Sequence, residues 1–242
     1  MKKKLWIFAL CLPVLLFQSC NKEKQEIHVY PVTDIDGNGY DTVVIGPQVW
    51  LVQNLKAISY ANGELIGTTS PSDKDISGES SPKYQWAPYG NEKSASESGR
   101  LYTWYVVTDN RGICPAGWHV PSYPEWNALA EYLINNNYGF EGSGIDIAKA
   151  MASKSGWSSS IVPGLPGNDP ESNNSSGLSA VPQGYRGKSS FIGAGQTASF
   201  WSVTAFGATD AYTPEIWSHN PNFIGNVLNE KYCGASVRCL KD

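Results

Sequence analysis

The chain has 242 residues, with 18 Lys+Arg against 22 Asp+Glu, nine Trp, thirteen Tyr, 24 Gly and 15 Pro. Beyond the first four residues there is no basic cluster, which excludes nucleic acid as a partner. The aromatic, Gly- and Pro-rich composition excludes a helical bundle and favours many short strands joined by ordered loops, within one sizeable core.

Lys2, Lys3 and Lys4 precede an apolar run from Leu5 to Phe17, and Ser19-Cys20 follows. This is the pattern of a secretory signal, too short and wrongly flanked for a membrane-spanning helix. Cysteine directly after the apolar run implies a bacterial lipoprotein acylated on Cys20, although Phe17 stands where the lipobox usually has Leu. Two acyl signals on that residue would suffice for stable membrane attachment. The expected organisation is a signal over 1–19, a polar tether over 20–26 and one domain over 27–242. The expected location is the cell envelope, as an outer-membrane lipoprotein. Loss of 1–19 removes three lysines and no acid, leaving 15 basic against 22 acidic residues and a formal charge of −7.

Cys11 leaves with the signal and Cys20 is the lipid site, so Cys114, Cys233 and Cys239 remain. An odd number in an oxidising compartment implies one disulfide and one leftover thiol.

In chain order, Ile27, Val29 and Val32 alternate, and Tyr40 to Ile45 is β-branched. Asp34-Ile35-Asp36-Gly37-Asn38-Gly39 lies between them as a turn. Asp34, Asp36 and Asn38 also match the opening spacing of a calcium loop, and are the candidate metal ligands. Ile45 occupies the twelfth position, where an EF-hand needs a bidentate acid, so the turn reading is preferred. Gly46-Pro47-Gln48 is a second turn before a strand over Val49 to Leu55. Tyr60 to Ser98 is Ser-, Gly- and Pro-rich and reads as a long surface loop region. Leu101 to Val107 is ambiguous between strand and helix. Ser122 with Glu125 forms a capping box, and Trp126, Leu129, Ala130 and Leu133 share one face of the helix that follows. That helix should stop in Asn135-Asn136-Asn137, and a short helix can follow within Ile145 to Ser153. Strands are expected near Gly177–Arg186, Phe191-Ile192, Phe200–Thr204, Glu215–Trp217, Phe223–Leu228 and Ser236–Leu240.

Several of these pieces occur together in a known order. Asp34-Ile35-Asp36-Gly37-Asn38, Ile45-Gly46-Pro47-Gln48-Val49-Trp50 and Gly99-Arg100-Leu101-Tyr102-Thr103-Trp104 come first. Cys114-Pro115-Ala116-Gly117-Trp118-His119-Val120-Pro121-Ser122, with Glu125-Trp126, comes next. Gly177-Leu178-Ser179-Ala180, Gly184-Tyr185-Arg186, Phe200-Trp201-Ser202 and Ser236-Val237-Arg238-Cys239 complete the set. The series resembles the Fibrobacter succinogenes major paralogous domain over roughly Thr33 to Asp242. Members of that family are mostly exported or lipid-anchored surface proteins without an established activity. The organisation also resembles the C-type lectin-like fold, including its formylglycine-generating-enzyme branch. The resemblance implies an α+β single domain of short twisted antiparallel sheets, two helices and long ordered loops. It implies Leu101 to Val107 as the first helix and a Cys114–Cys239 disulfide, with Cys233–Cys239 as the competing bridge.

The function expected is a non-catalytic binding or adhesion domain, with polysaccharide or a surface protein as partner. His28, His119 and His219 are the only histidines, no Gly-x-Ser-x-Gly elbow occurs, and no His/Cys pair but Cys233/Cys239 has ligand spacing. An oxidase like the formylglycine-generating enzyme would use Cys233 and Cys239, but four residues separate that enzyme's cysteines where five stand here. Calcium-dependent sugar sites in lectin-like folds need a carboxylate before proline, which Trp217-Ser218-His219-Asn220-Pro221-Asn222 lacks. Metal-free stacking on sugar faces would fall to Trp86, Tyr89, Trp157 and Trp217, which lie in loop-like surroundings.

Overall fold

The computed structural model describes residues 32–142 and 144–242. The signal, Cys20, the tether, His28 and the strand start at Ile27 lie outside the described residues.

The β-branched run Thr42–Ile45 pairs with Gln48–Leu51 across the turn Gly46-Pro47, Val43 opposite Trp50 and Ile45 opposite Gln48. Gly46 has φ 59°, and a Cβ there would lie 2.5 Å from the Tyr132 ring. Both the backbone angle and the close approach therefore require glycine. The sheet continues through Leu240–Lys241 to Trp118–His119. Leu240–Lys241 is thus inserted between Gln48–Leu51 and Trp118–His119, with Leu240 beside both Trp50 and His119.

A second sheet has five strands in the order Gln85–Trp86, Leu101–Thr103, Gly234–Ala235, Tyr185–Arg186 and Phe191–Ile192. A third, of three strands, runs Ala205–Phe206, Asp210–Tyr212, Leu228–Glu230. Thr197–Ser199 pairs with Glu215–Trp217, and Val32–Thr33 with Gly39–Tyr40. All pairs between these strands are antiparallel.

Among the described residues four α-helices accompany the sheets: α1 Glu92–Ser98, α2 Trp104–Val107, α3 Tyr123–Asn135 and α4 Ala148–Met151. The fold is α+β, with more helices than the two expected. The loop region over 60–98 contains α1, capped by the Asn91 side chain on the Lys93 N–H, and the strand Gln85–Trp86. Leu101 to Val107 is strand and helix in turn: Leu101–Thr103 lies in the five-stranded sheet and α2 begins at Trp104. The strand from Val49 stops at Leu51, because the Leu51 and Val52 carbonyls turn to the Arg238 guanidinium. The Leu178 carbonyl does the same, and only Tyr185–Arg186 of the segment Gly177–Arg186 is strand.

In α3, the Glu125 carboxylate accepts from the Ser122 N–H and hydroxyl, each at 2.7 Å. Trp126, Leu129 and Leu133 are buried, and the helix ends at Asn135 as the Asn run implies. Two apolar clusters form the core. One gathers Leu51, Tyr102, Trp201 and both bridged cysteines; the other gathers Trp50, Trp126, Phe200 and Leu240. Strand alternation does the sorting, since Trp50 and Leu51, like Cys239 and Leu240, point to opposite faces. Trp126 sits 4.7 Å from Trp50 and 5.3 Å from Phe200 between ring centroids.

Candidate functional site

Cys114 and Cys239 are joined, with Cα atoms 6.0 Å apart, and this rules out the Cys233–Cys239 bridge. Cys233 is a buried free thiol. Burial and the nearby Glu230 carboxylate push it up to about 12. A nucleophilic cysteine needs the opposite environment. His119, beside the clasp, bonds Asp242 through Nδ1 at 2.7 Å and Glu125 through Nε2 at 2.9 Å, tying the chain end to the start of α3.

The candidate calcium ligands are engaged by the chain itself. Asp34 Oδ1 accepts the Asp36 and Asn38 N–H groups, and Oδ2 accepts Asn38 Nδ2 and the Tyr40 hydroxyl. These four donors match the lone-pair capacity of a carboxylate. Asp36 Oδ2 accepts the Ile58 and Ser59 N–H groups, over twenty residues away. The segment is an Asx-closed turn pinned to the next loop.

The four expected ligand-binding aromatics are not one surface. Trp86 is 1% exposed, donates its indole N–H to Thr69 Oγ1 at 2.8 Å and lies 4.1 Å below the Arg186 guanidinium. Trp157 is buried in the second core cluster. Neither can present a ring face to a ligand: the loops around them, loose-looking in composition, fold over them. Tyr89 is exposed, with its ring 5.3 Å from Phe191 and its hydroxyl accepting from the Ala194 N–H. Trp217 is half-buried, and its indole N–H donates to the buried Glu215 carboxylate at 2.7 Å. Burial raises the Glu215 carboxyl above its ordinary value. The turn 193–196 links three of these loops through the backbone, since Gly195 accepts from Ser158 and Gln196 from Ser218, while Ala194 holds Tyr89.

A better-built surface lies on the three-stranded sheet. Phe206 pairs with Asp210 and Asp210 with Glu230; Tyr212 pairs with Leu228. Directly paired residues of an antiparallel sheet project on the same side, and alternation puts Asp210 and Tyr212 together. One face therefore carries Phe206, Asp210, Glu230, Tyr212 and Leu228, while Ala211 turns into the core. Phe206 is 51% and Leu228 38% exposed. Tyr123, the first residue of α3, stacks on Tyr212 at 4.2 Å, and Phe206 meets Tyr212 edge-on at 5.7 Å. The helix start that the sequence singles out is thus what supports this face.

At the Asp210 end the face opens into a cleft of about 480 Å³, lined also by Glu79, Tyr105 and Tyr232. The hairpin between the first two strands is anchored from beneath. Buried Lys231 donates to the Gly207 and Ala208 carbonyls at 3.0 and 2.9 Å and lies 4.5 Å over the Trp104 ring. Glu79 accepts the Tyr84 hydroxyl at 2.7 Å and pairs with Lys74 at 3.2 Å; these bonds hold its carboxyl below the usual value. Burial, with Cys233 and Glu230 nearby, pushes Tyr232 up to about 12, so its hydroxyl keeps its proton. The site therefore offers apolar ring area beside hydroxyls and carboxylate acceptors.

None of Phe206, Tyr212, Asp210, Glu230, Tyr105 or Tyr232 is among the residues the sequence reading selected. The signal available was Ala205-Phe206-Gly207-Ala208-Thr209-Asp210-Ala211-Tyr212, a short hairpin with Gly at its turn and alternation after it.

Fold and clasp define an α+β domain in which a disulfide locks the segment entering the last strand to the segment leading into α3. The chain belongs to the Fibrobacter succinogenes major domain family, whose model matches residues 43–241. Comparison with the curated proteins and with the solved structures finds no match.

Proposed function

We propose that the chain is an exported, lipid-anchored surface protein whose domain, C-type lectin-like in organisation, binds glycans without catalysis. The basic-then-apolar leader ending at Cys20 supports export and anchoring. The clasp between the entry of α3 and the last strand supports the lectin-like reading. The protonated, buried state of the one free thiol among the described residues favours binding over oxidase chemistry.

The observation that carries glycan binding is the face of Phe206, Tyr212 and Leu228 running into a cleft of carboxylates and tyrosines. Sugars have apolar C–H faces that stack on aromatic rings, and hydroxyl edges that donate to fixed acceptors. A glycan array with the wild-type chain and the Phe206→Ala and Tyr105→Ala variants tests this. Discrete hits should appear and weaken about tenfold in each variant, the equivalent of about 1.4 kcal/mol of lost contact. Trp217→Ala, on a different edge, should leave them in place. A clean array, or hits indifferent to Phe206 and Tyr105, would sink the proposal; a protein captured by the same face would replace it with the adhesion reading.

A further inference from the structure

The glycan site has a charge pattern that assigns its ligand class, an inference that rests on the reading just given. We infer that the site takes uncharged glycans and rejects anionic ones, with Asp210 and Glu230 as the residues that set this specificity. The two are direct cross-strand partners on the same face, so their carboxylates stand side by side at the cleft mouth. Glu79 lines the same cleft.

The nearby cations are already partnered, and neither is paired to Asp210 or Glu230. Lys231, next in sequence to Glu230, is buried with its ammonium on two hairpin carbonyls and over Trp104. Lys74 is paired to Glu79. Among the described residues no Lys or Arg forms an ion pair with Asp210 or Glu230. The donors that meet these acids are neutral: the Thr209 hydroxyl reaches Asp210 at 2.6 Å, and the Cys233 thiol lies 3.7 Å from Glu230.

A carboxylate accepts and never donates. A sugar hydroxyl supplies the missing donors, whereas a uronate or sulfate would set acceptor against acceptor and charge against charge. Rejection of the wrong ligand by like charge is a standard route to specificity. Cross-strand like charges also weaken a sheet when nothing lies between them, so bound hydroxyls relieve a repulsion that an anionic sugar would increase.

The test uses matched pairs of α- and β-linked hexose oligomers that differ only in oxidation at C6, titrated into the full chain at low and moderate salt. The neutral member should bind at least about tenfold more tightly, with the gap narrowing as salt screens it. In Asp210→Asn/Glu230→Gln, isosteric changes on an exposed face, the uronate should come within about threefold of the neutral sugar. Glu79→Gln should give a smaller shift in the same direction. Equal binding of both members by the wild type, or a ratio unchanged in the double variant, overturns the charge selectivity and leaves glycan binding standing. Failure of every pair to bind removes both.

Discussion

The interior and the proposed glycan face handle charge in opposite ways. Besides Lys231 beneath that face, three cations are buried against carbonyls. Arg238 meets Leu51, Val52 and Leu178 carbonyls and Asn54 Oδ1; Arg186 meets those of Ser72, Lys74 and Gly187; Lys149 meets those of Asn168 and Asp169, with Asn173 Oδ1. None of the three pairs with a carboxylate among the described residues. Burial works against the charge of each. On the face, carboxylates stand in solvent with neutral donors. The difference teaches how a loop-rich chain stays ordered. Its buried cations satisfy backbone groups that no ladder pairs, while most of its acids lie at the surface, with Asp34 and Glu215 as buried exceptions held by hydrogen-bond donors.

The largest effect that would sharpen this contrast is loss of the clasp. Cys114→Ala/Cys239→Ala frees a loop with a sequence separation of 125. It should cost about 4–5 kcal/mol on the loop-entropy model, read by guanidinium unfolding. Arg238→Met follows, at about 3–4 kcal/mol, because several buried carbonyls lose their donor together. A loss below about 1 kcal/mol there would break the claim that buried cations order the loops.

His119 gives a smaller, pH-dependent term. Desolvation pulls it down, but hydrogen bonds to Asp242 and Glu125 outweigh this and leave the imidazole above its ordinary value. Its contribution is full below the unfolded value of 6.5 and is lost as pH rises through the raised one. Desolvation pushes Glu125 up, but the Ser122 N–H and hydroxyl and His119 outweigh it and hold the carboxyl below 4.5. That contribution is present above 4.5 and lost as pH falls through the lowered value. The clasp end should therefore be firmest between about pH 4.5 and 6.5. His119→Gln should flatten the stability difference between pH 5.5 and 8.5, an effect below about 1 kcal/mol for so exposed a ring. An unchanged pH profile in His119→Gln would refute the link. Smallest of all, Phe206→Ala should alter stability by no more than about 0.5 kcal/mol while weakening glycan binding. A large loss of stability would mean that the ring serves the fold and not a ligand.

Much of the frame was legible from local rules. The Ser122/Glu125 cap, the end of α3 in Asn135 and the Gly46-Pro47 turn need only neighbouring residues, and local chemistry decides them. The spare thiol among three cysteines follows from parity. The resemblance added the Cys114–Cys239 pairing. Burial of Trp86 and Trp157 was not legible, because their neighbours are those of an exposed loop and only Arg186 and the second core cluster cover them. The strand breaks after Leu51 and before Tyr185 were hidden too, since the cause, Arg238, is over fifty residues away from each.

The sequence by itself determined the signal pattern, the helix start, the turns and the charge balance, all properties of residues a few positions apart. Only the tertiary structure decided which aromatics face solvent and which acids stand together. Phe206 and Asp210 meet across a local hairpin, but Glu230 and Tyr105 join them only through the pairing and packing of distant segments, which the residues next to them do not specify.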